Sequence, residues 1–120
     1  MTPKQIYNAL LLEAFTASAT RLALGGYEVF VDGIIGPWFL EPWFKAVREG
    51  FDVRFVVLRP NEQTTVVRAI ERQGSEALVN PDVVKNMWKF FADLGRFEAH
   101  VIDTTMQNIN ESVMKCYDYY

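Results

Sequence analysis

Tyr27-Glu28-Val29-Phe30-Val31-Asp32-Gly33-Ile34-Ile35 is the stretch on which the fold reading turns. Val29, Phe30, Val31, Ile34 and Ile35 make it β-branched and aromatic on both faces. Strands apolar on both faces belong to parallel sheets covered by helices on either side. Val53 to Leu58 repeats the pattern and Phe97 to Ile102 gives a third such run. The expectation is an α/β fold with a three-layer arrangement, a parallel sheet flanked by helices.

Helices are predicted between these runs. Thr2, Pro3 and Gln5 have capping-box spacing with proline at the first helical position. Ile6, Leu10, Ala14, Ala17 and Leu24 then recur at helical spacing until Gly25-Gly26, which gives a helix over about residues 3 to 24. A short helix is expected from Glu41 to Glu49, opened by Pro42 and closed by Gly50 after the apolar turn Gly36-Pro37-Trp38-Phe39-Leu40. Asn61 caps a helix to Gln73 that carries Val66, Val67 and Ile70 on one face and Arg68 and Arg72 on another, with Gly74-Ser75 as its breaker. Asn80-Pro81 opens the next, with Val84, Met87, Trp88 and Phe91 as its stripe and Gly95 as its stop, and Asn108 with Glu111 caps the last.

The 120 residues are half hydrophobic with a formal net charge of −3, which suits one domain, residues 1 to 120, with one core. Mixed charges and a pI near 5.1 leave no basic footprint for nucleic acid. Apolar stretches such as Ala9 to Leu12 fall far short of the roughly 20 residues of a membrane span. No secretory signal pattern follows Met1, so the cytoplasm is the default location. The single cysteine, Cys116, forms neither an internal disulfide nor a thiolate cluster and reads as a helix-face residue.

Ligands of open parallel sheets bind beyond the carboxyl ends of the strands. Each predicted strand delivers polar groups there: Asp32 with Gly33, then Arg59, then Asp103, Thr104 and Thr105, joined by the loop from Gln73 to Asn80. One sheet edge would hold two acids, a guanidinium and two hydroxyls.

Gly26 to Gly33 resembles the strand of P-loop kinases that ends in the Walker B acid. Phe55-Val56-Val57-Leu58-Arg59-Pro60, followed by Arg68, Arg72 and Gly74, looks like the strand, lid helix and lid arginines of chloramphenicol phosphotransferase-like proteins. Phe97 to Thr105 is similar to their final strand and the loop beside adenine, and the resemblance spans about residues 20 to 115. It implies a P-loop NTPase-like fold and an ATP-dependent small-molecule phosphotransferase (kinase). Asp32 would hold a water on Mg2+, Arg68 and Arg72 would act on the transferring phosphates with Arg59 nearby, and Asp103, Thr104 and Thr105 would border the nucleotide. In phosphoryl transfer nearly all catalysis is positioning plus charge stabilisation, which suits arginines and a metal.

The departure from that family is as informative. A G-x-x-x-x-G-K-[ST] loop is needed to cradle phosphates. The seven glycines, at 25, 26, 33, 36, 50, 74 and 95, include none five apart and none followed by lysine. Relative to that family the chain lacks the N-terminal strand and the phosphate-binding loop, and it is expected to be inactive as an isolated chain. That strand would lie between those ending at Asp32 and Arg59, so these two either pair directly or accept a strand from a partner. Alternatives are an assembly module that uses the open sheet edge or Trp38 to Phe44, in a homo-oligomer or with another protein, and one half of a split kinase. The acceptor is a small molecule that the sequence does not specify.

Plainer readings stand beside these. Asp32 also suits a turn or a cap, and Arg68 and Arg72 also suit a solvated face paired with Glu62, Glu71 or Glu76. His100, without a second histidine or cysteine nearby, reads as a packed residue and not a ligand. Trp38, Phe39, Trp43 and Phe44 suit packing more than a ligand pocket, and Tyr117 to Tyr120 suits a fraying tail.

Overall fold

A computed structural model describes residues 3–73 and 80–119. The chain divides into two compact units, Met1–Val53 and Arg54–Tyr120. Thr2 and the Gly74-Ser75 breaker lie outside the described residues, as does Glu76.

The first unit holds α1 (Pro3–Leu24) and α2 (Glu41–Arg48), which pack on each other. Both helices stop at a glycine in the left-handed region. Gly26 has φ 95° and Gly50 φ 100°. Tyr27 N–H reaches Leu22 O and Gly26 N–H reaches Ala23 O, while Phe51 and Gly50 repeat the arrangement on Ala46 and Val47. These are Schellman closures, which satisfy the last carbonyls of a helix and require a residue that tolerates positive φ. Along α1 the buried residues Thr16 and Ala19 share a stripe with half-buried Leu12 and Ala23. The Thr16 hydroxyl satisfies itself on Leu12 O at 2.8 Å.

Between the helices the expected first strand is absent. Residues 27–36 carry no strand, and Phe30 is 70% exposed. A 3-10 turn, Pro37–Phe39, leads into α2. A β-branched run reports fitness for a pleated, half-buried surface and not a backbone preference of its own. No ladder forms on this run among the described residues, so its backbone stays irregular. At Gly36 the indole of Trp38 occupies the space a side chain would need. Gly36→Ala is expected to swing Trp38 aside at a cost of about 1 kcal/mol, read as a changed near-ultraviolet dichroism with a lower urea midpoint.

The second unit holds β1 (Val57–Leu58), α3 (Glu62–Gln73), α4 (Pro81–Phe90), β2 (Val101–Ile102) and α5 (Ile109–Tyr119). Strand β1 pairs in parallel with β2, Val57 opposite Val101 and Leu58 opposite Ile102. The ladder continues one step, Arg59 N–H to Ile102 O at 3.0 Å. The three-layer parallel sheet of the sequence reading is therefore corrected to a mostly helical chain with one two-stranded sheet among the described residues. The second expected strand shrinks to its last two residues. Most of the third winds into a 3-10 helix, Gly95–His100. Gly95, with φ 59°, begins that turn and does not close α4, which ends at Phe90. Neither arrangement envisaged for the Asp32 strand arises, because that strand does not form.

Helix starts follow local chemistry. Asn61 Oδ1 accepts from Thr64 N–H at 2.8 Å, and Asn80 Oδ1 from Asp82 N–H at 2.9 Å. Asn108 and Glu111 cap each other reciprocally, at 3.0 and 2.8 Å. Helix α5 runs through Tyr117, Asp118 and Tyr119, so these residues continue the helix, and Tyr120 lies outside the described residues. Helices α3 and α4 pack together, and Trp88 donates its indole N–H to Pro60 O at 2.9 Å, tying α4 to the end of β1. His100 is half-buried between the Phe55 and Phe97 rings, with Nδ1 3.0 Å from Phe55 O, as a packed histidine should be. Among the described residues no helix is long and apolar enough to cross a membrane.

Candidate functional site

The carboxyl ends of β1 and β2 open on a groove of about 950 Å³ lined by Leu58, Arg68, Arg72, Thr104, Ile109 and Val113 among others. Helix α3 supplies both arginines, one turn apart on a single face. Thr104 follows β2 and is buried. Leu58, Ile109, Val113 and half-buried Cys116 give the groove an apolar wall.

The two arginines differ in what they have left to offer. Arg68 Nη2 donates to the carbonyls of Thr104 at 3.0 Å, Thr105 at 3.2 Å and Gln107 at 3.1 Å. Its Nη1 lies 3.5 Å from the Thr104 hydroxyl. Arg68 thus clamps the turn that leads into α5. Arg72 is exposed and makes no hydrogen bond or ion pair among the described residues. The alternative pairing of Arg68 with Glu62 or Glu71 does not occur.

Arg59 is drawn elsewhere. Its Nη1 donates to Glu98 Oε2 at 2.7 Å and its Nη2 to Glu98 Oε1 at 2.8 Å, a bidentate fork. Nη1 also meets Phe91 O at 2.7 Å and Ala92 O at 3.3 Å, the carbonyl end of α4, where a cation is favoured. Glu98 Oε2 further accepts Leu94 N–H at 2.9 Å. The Arg59 guanidinium, then the Leu94 amide, hold the Glu98 carboxyl down at about 2. The same bond to Glu98 raises Arg59. Arg59 is not among the groove's lining residues.

Asp103 and Thr105 close their own loop. Asp103 Oδ1 accepts from Thr105 N–H at 2.9 Å and from the Thr105 hydroxyl, and these bonds lower the Asp103 pKa. The Thr105 hydroxyl in turn accepts Asn61 N–H at 2.8 Å, fastening the loop after β2 to the start of α3. Asp32 lies in the first unit on an exposed, irregular segment. Of the residues singled out from sequence, the structure brings Arg68, Arg72 and Thr104 to one groove. Glu98 is the residue the sequence reading passed over. Its signal was an acid inside a largely apolar run.

This arrangement does not fit Mg2+ and ATP as a catalytic pair. Two of the three arginines spend their forks on the chain itself, and the sequence offers no loop of amides to cradle a triphosphate. Among the described residues no three His, Cys, Asp or Glu side chains gather as a metal set. No family model matches the sequence, and no curated protein matches it either.

Proposed function

We propose that this chain is related to ATP-dependent small-molecule phosphotransferases and transfers no phosphate by itself. The observation that carries the reading is the meeting of Arg68, Arg72 and Thr104, three positions marked by the resemblance, along one groove past the ends of two parallel strands. Its inactivity follows from the missing glycine-rich loop and from the engagement of Arg59 and Arg68. Among the described residues that line the groove, Arg72 is the cation left unpaired to meet an anionic ligand.

Two measurements test this. In an ATP-turnover assay the chain should show no activity, and tight Mg2+-ATP binding with phosphotransfer would refute the inactive reading. In amide-resonance titrations with ATP in the millimolar range, Thr104 and Arg72 should shift, and Arg72→Ala should weaken the binding read at Thr104 about tenfold. ATP that moves neither resonance removes the kinase-like reading.

A second reading, one half of a split enzyme, is favoured by the outer edge of β1. Val57 and Arg59 point their peptide groups at β2, so those of Leu58 point away from it. An extended segment from another polypeptide would find a donor and an acceptor there. ATP turnover appearing on mixing with a polypeptide that carries a strand followed by G-x-x-x-x-G-K-[ST] is the expected result, and no turnover in that mixture rules this reading out.

A further inference from the structure

The misfit between this groove and a triphosphate says which nucleotide the groove suits instead. Among the described residues that line it there is no carboxylate and no lysine, so the fields of Arg68 and Arg72 go uncancelled by an acid in the wall. Two formal positive charges match the charge of a phosphate monoester, about −1.5 to −2 at neutral pH. Contact is another matter. Nη2 of Arg68 already serves three carbonyls and Nη1 leans on the Thr104 hydroxyl, whereas the whole fork of Arg72 is unengaged among the described residues. One planar fork grips one phosphate. A second and a third phosphate would bring more negative charge to a wall with neither a further cation nor a run of amides to receive it.

The rest of the groove suits the other end of such a ligand. Leu58, Ile109 and Val113 are 51%, 82% and 46% exposed, an open apolar ledge on which a base can lie. Three carboxamides also line the groove. Asn108 Oδ1 accepts Glu111 N–H and Gln107 Oε1 accepts the Ser112 hydroxyl, whereas exposed Asn110 makes no side-chain hydrogen bond among the described residues. A free carboxamide offers a donor and an acceptor side by side, the pair of groups that the edge of a base can meet.

We propose that this groove takes a nucleoside monophosphate, its phosphate on Arg72 and its base over Leu58, Ile109 and Val113 with an edge at Asn110. The proposal rests on the nucleotide reading given above and narrows it, because the β- and γ-phosphates of ATP then contribute nothing to binding.

The test follows the Thr104 and Arg72 amide resonances of the full chain at physiological salt, where the Debye length of about 8 Å damps non-specific attraction of the more highly charged nucleotide. AMP and ATP should bind within about threefold of each other, with a dissociation constant on the order of 1 mM. Inorganic phosphate should bind about tenfold more weakly than AMP, since it lacks the base. Arg72→Ala should weaken AMP about tenfold, the loss of one charge-assisted fork. Asn110→Ala should weaken AMP about threefold and leave inorganic phosphate unchanged. Circular dichroism checks that both variants stay helical. ATP binding ten times tighter than AMP would overturn the inference while leaving the kinase-like reading in place. Inorganic phosphate binding as well as AMP, or AMP binding undiminished by Arg72→Ala, would overturn it too. Silence of both resonances toward ATP and AMP alike removes the inference together with the reading beneath it.

Discussion

Arg59→Ala should destabilise the second unit by about 2 kcal/mol, measured as a lower urea midpoint with an unchanged slope. Glu98 is partly exposed, so solvent screens the ion pair itself. Most of the loss comes from the Arg59 donor withdrawn from Phe91 O and Ala92 O at the end of α4, and from Leu94 N–H held by a carboxylate that has lost its orientation. Arg59→Lys should recover less than half, because an ammonium cannot reproduce a planar fork. The same contact sets a pH dependence. Glu98 titrates near its ordinary 4.5 in the unfolded chain and near 2 when folded. Between those values the unfolded chain binds more protons, so stability rises with pH there. Glu98's contribution is complete above about 4.5 and is lost as pH falls toward 2, and Asp103 acts in the same direction. Glu98→Gln should flatten the acid limb of a stability-against-pH curve. An unchanged curve would mean that the fork contributes nothing to folding.

Arg68→Ala should cost a similar amount, about 2 kcal/mol, by removing the donor that the Thr104, Thr105 and Gln107 carbonyls share at the entry to α5. Hydrogen exchange should quicken at Gln107, whose N–H closes that turn on Thr104 O at 3.1 Å. Arg72→Ala, on the next turn of α3 and without a partner among the described residues, should stay within about 0.5 kcal/mol of the parent. The pair of variants separates two uses of one helix face. A loss at Arg72 as large as that at Arg68 would contradict the division between clamp and free cation.

Helix boundaries are legible in the sequence because their signals are local. Gly25-Gly26, Gly50, Asn61, Asn80-Pro81 and the Asn108 to Glu111 box each act within a turn, and each lies where its residues place it. Strands depend on what lies beside them. The runs at 27–35, 53–58 and 97–102 have similar composition, yet they end as an irregular segment, a two-residue strand and a 3-10 helix leading into two residues of strand. Gly95 and Glu98 separate the last case, since one starts the turn and the other is held by Arg59. At the groove, the four-residue spacing of Arg68 and Arg72 shows that they share a face. That Arg68 finds carbonyls 36 to 39 positions away while Arg72 finds none among the described residues is a property of the assembled unit.

The junction of β1 with β2 also bears on the order of assembly. Asn61 and Thr105 stand 44 positions apart, and the ladder next to them joins only two residues on each side. Helices α3 and α4 need no such reach and wind within about a microsecond. Bringing the two dipeptides together costs loop-closure entropy for few bonds in return. The meeting of Val57 with Val101 is therefore expected as a late step of refolding, read as the last amides to gain protection in pulse-labelled hydrogen exchange.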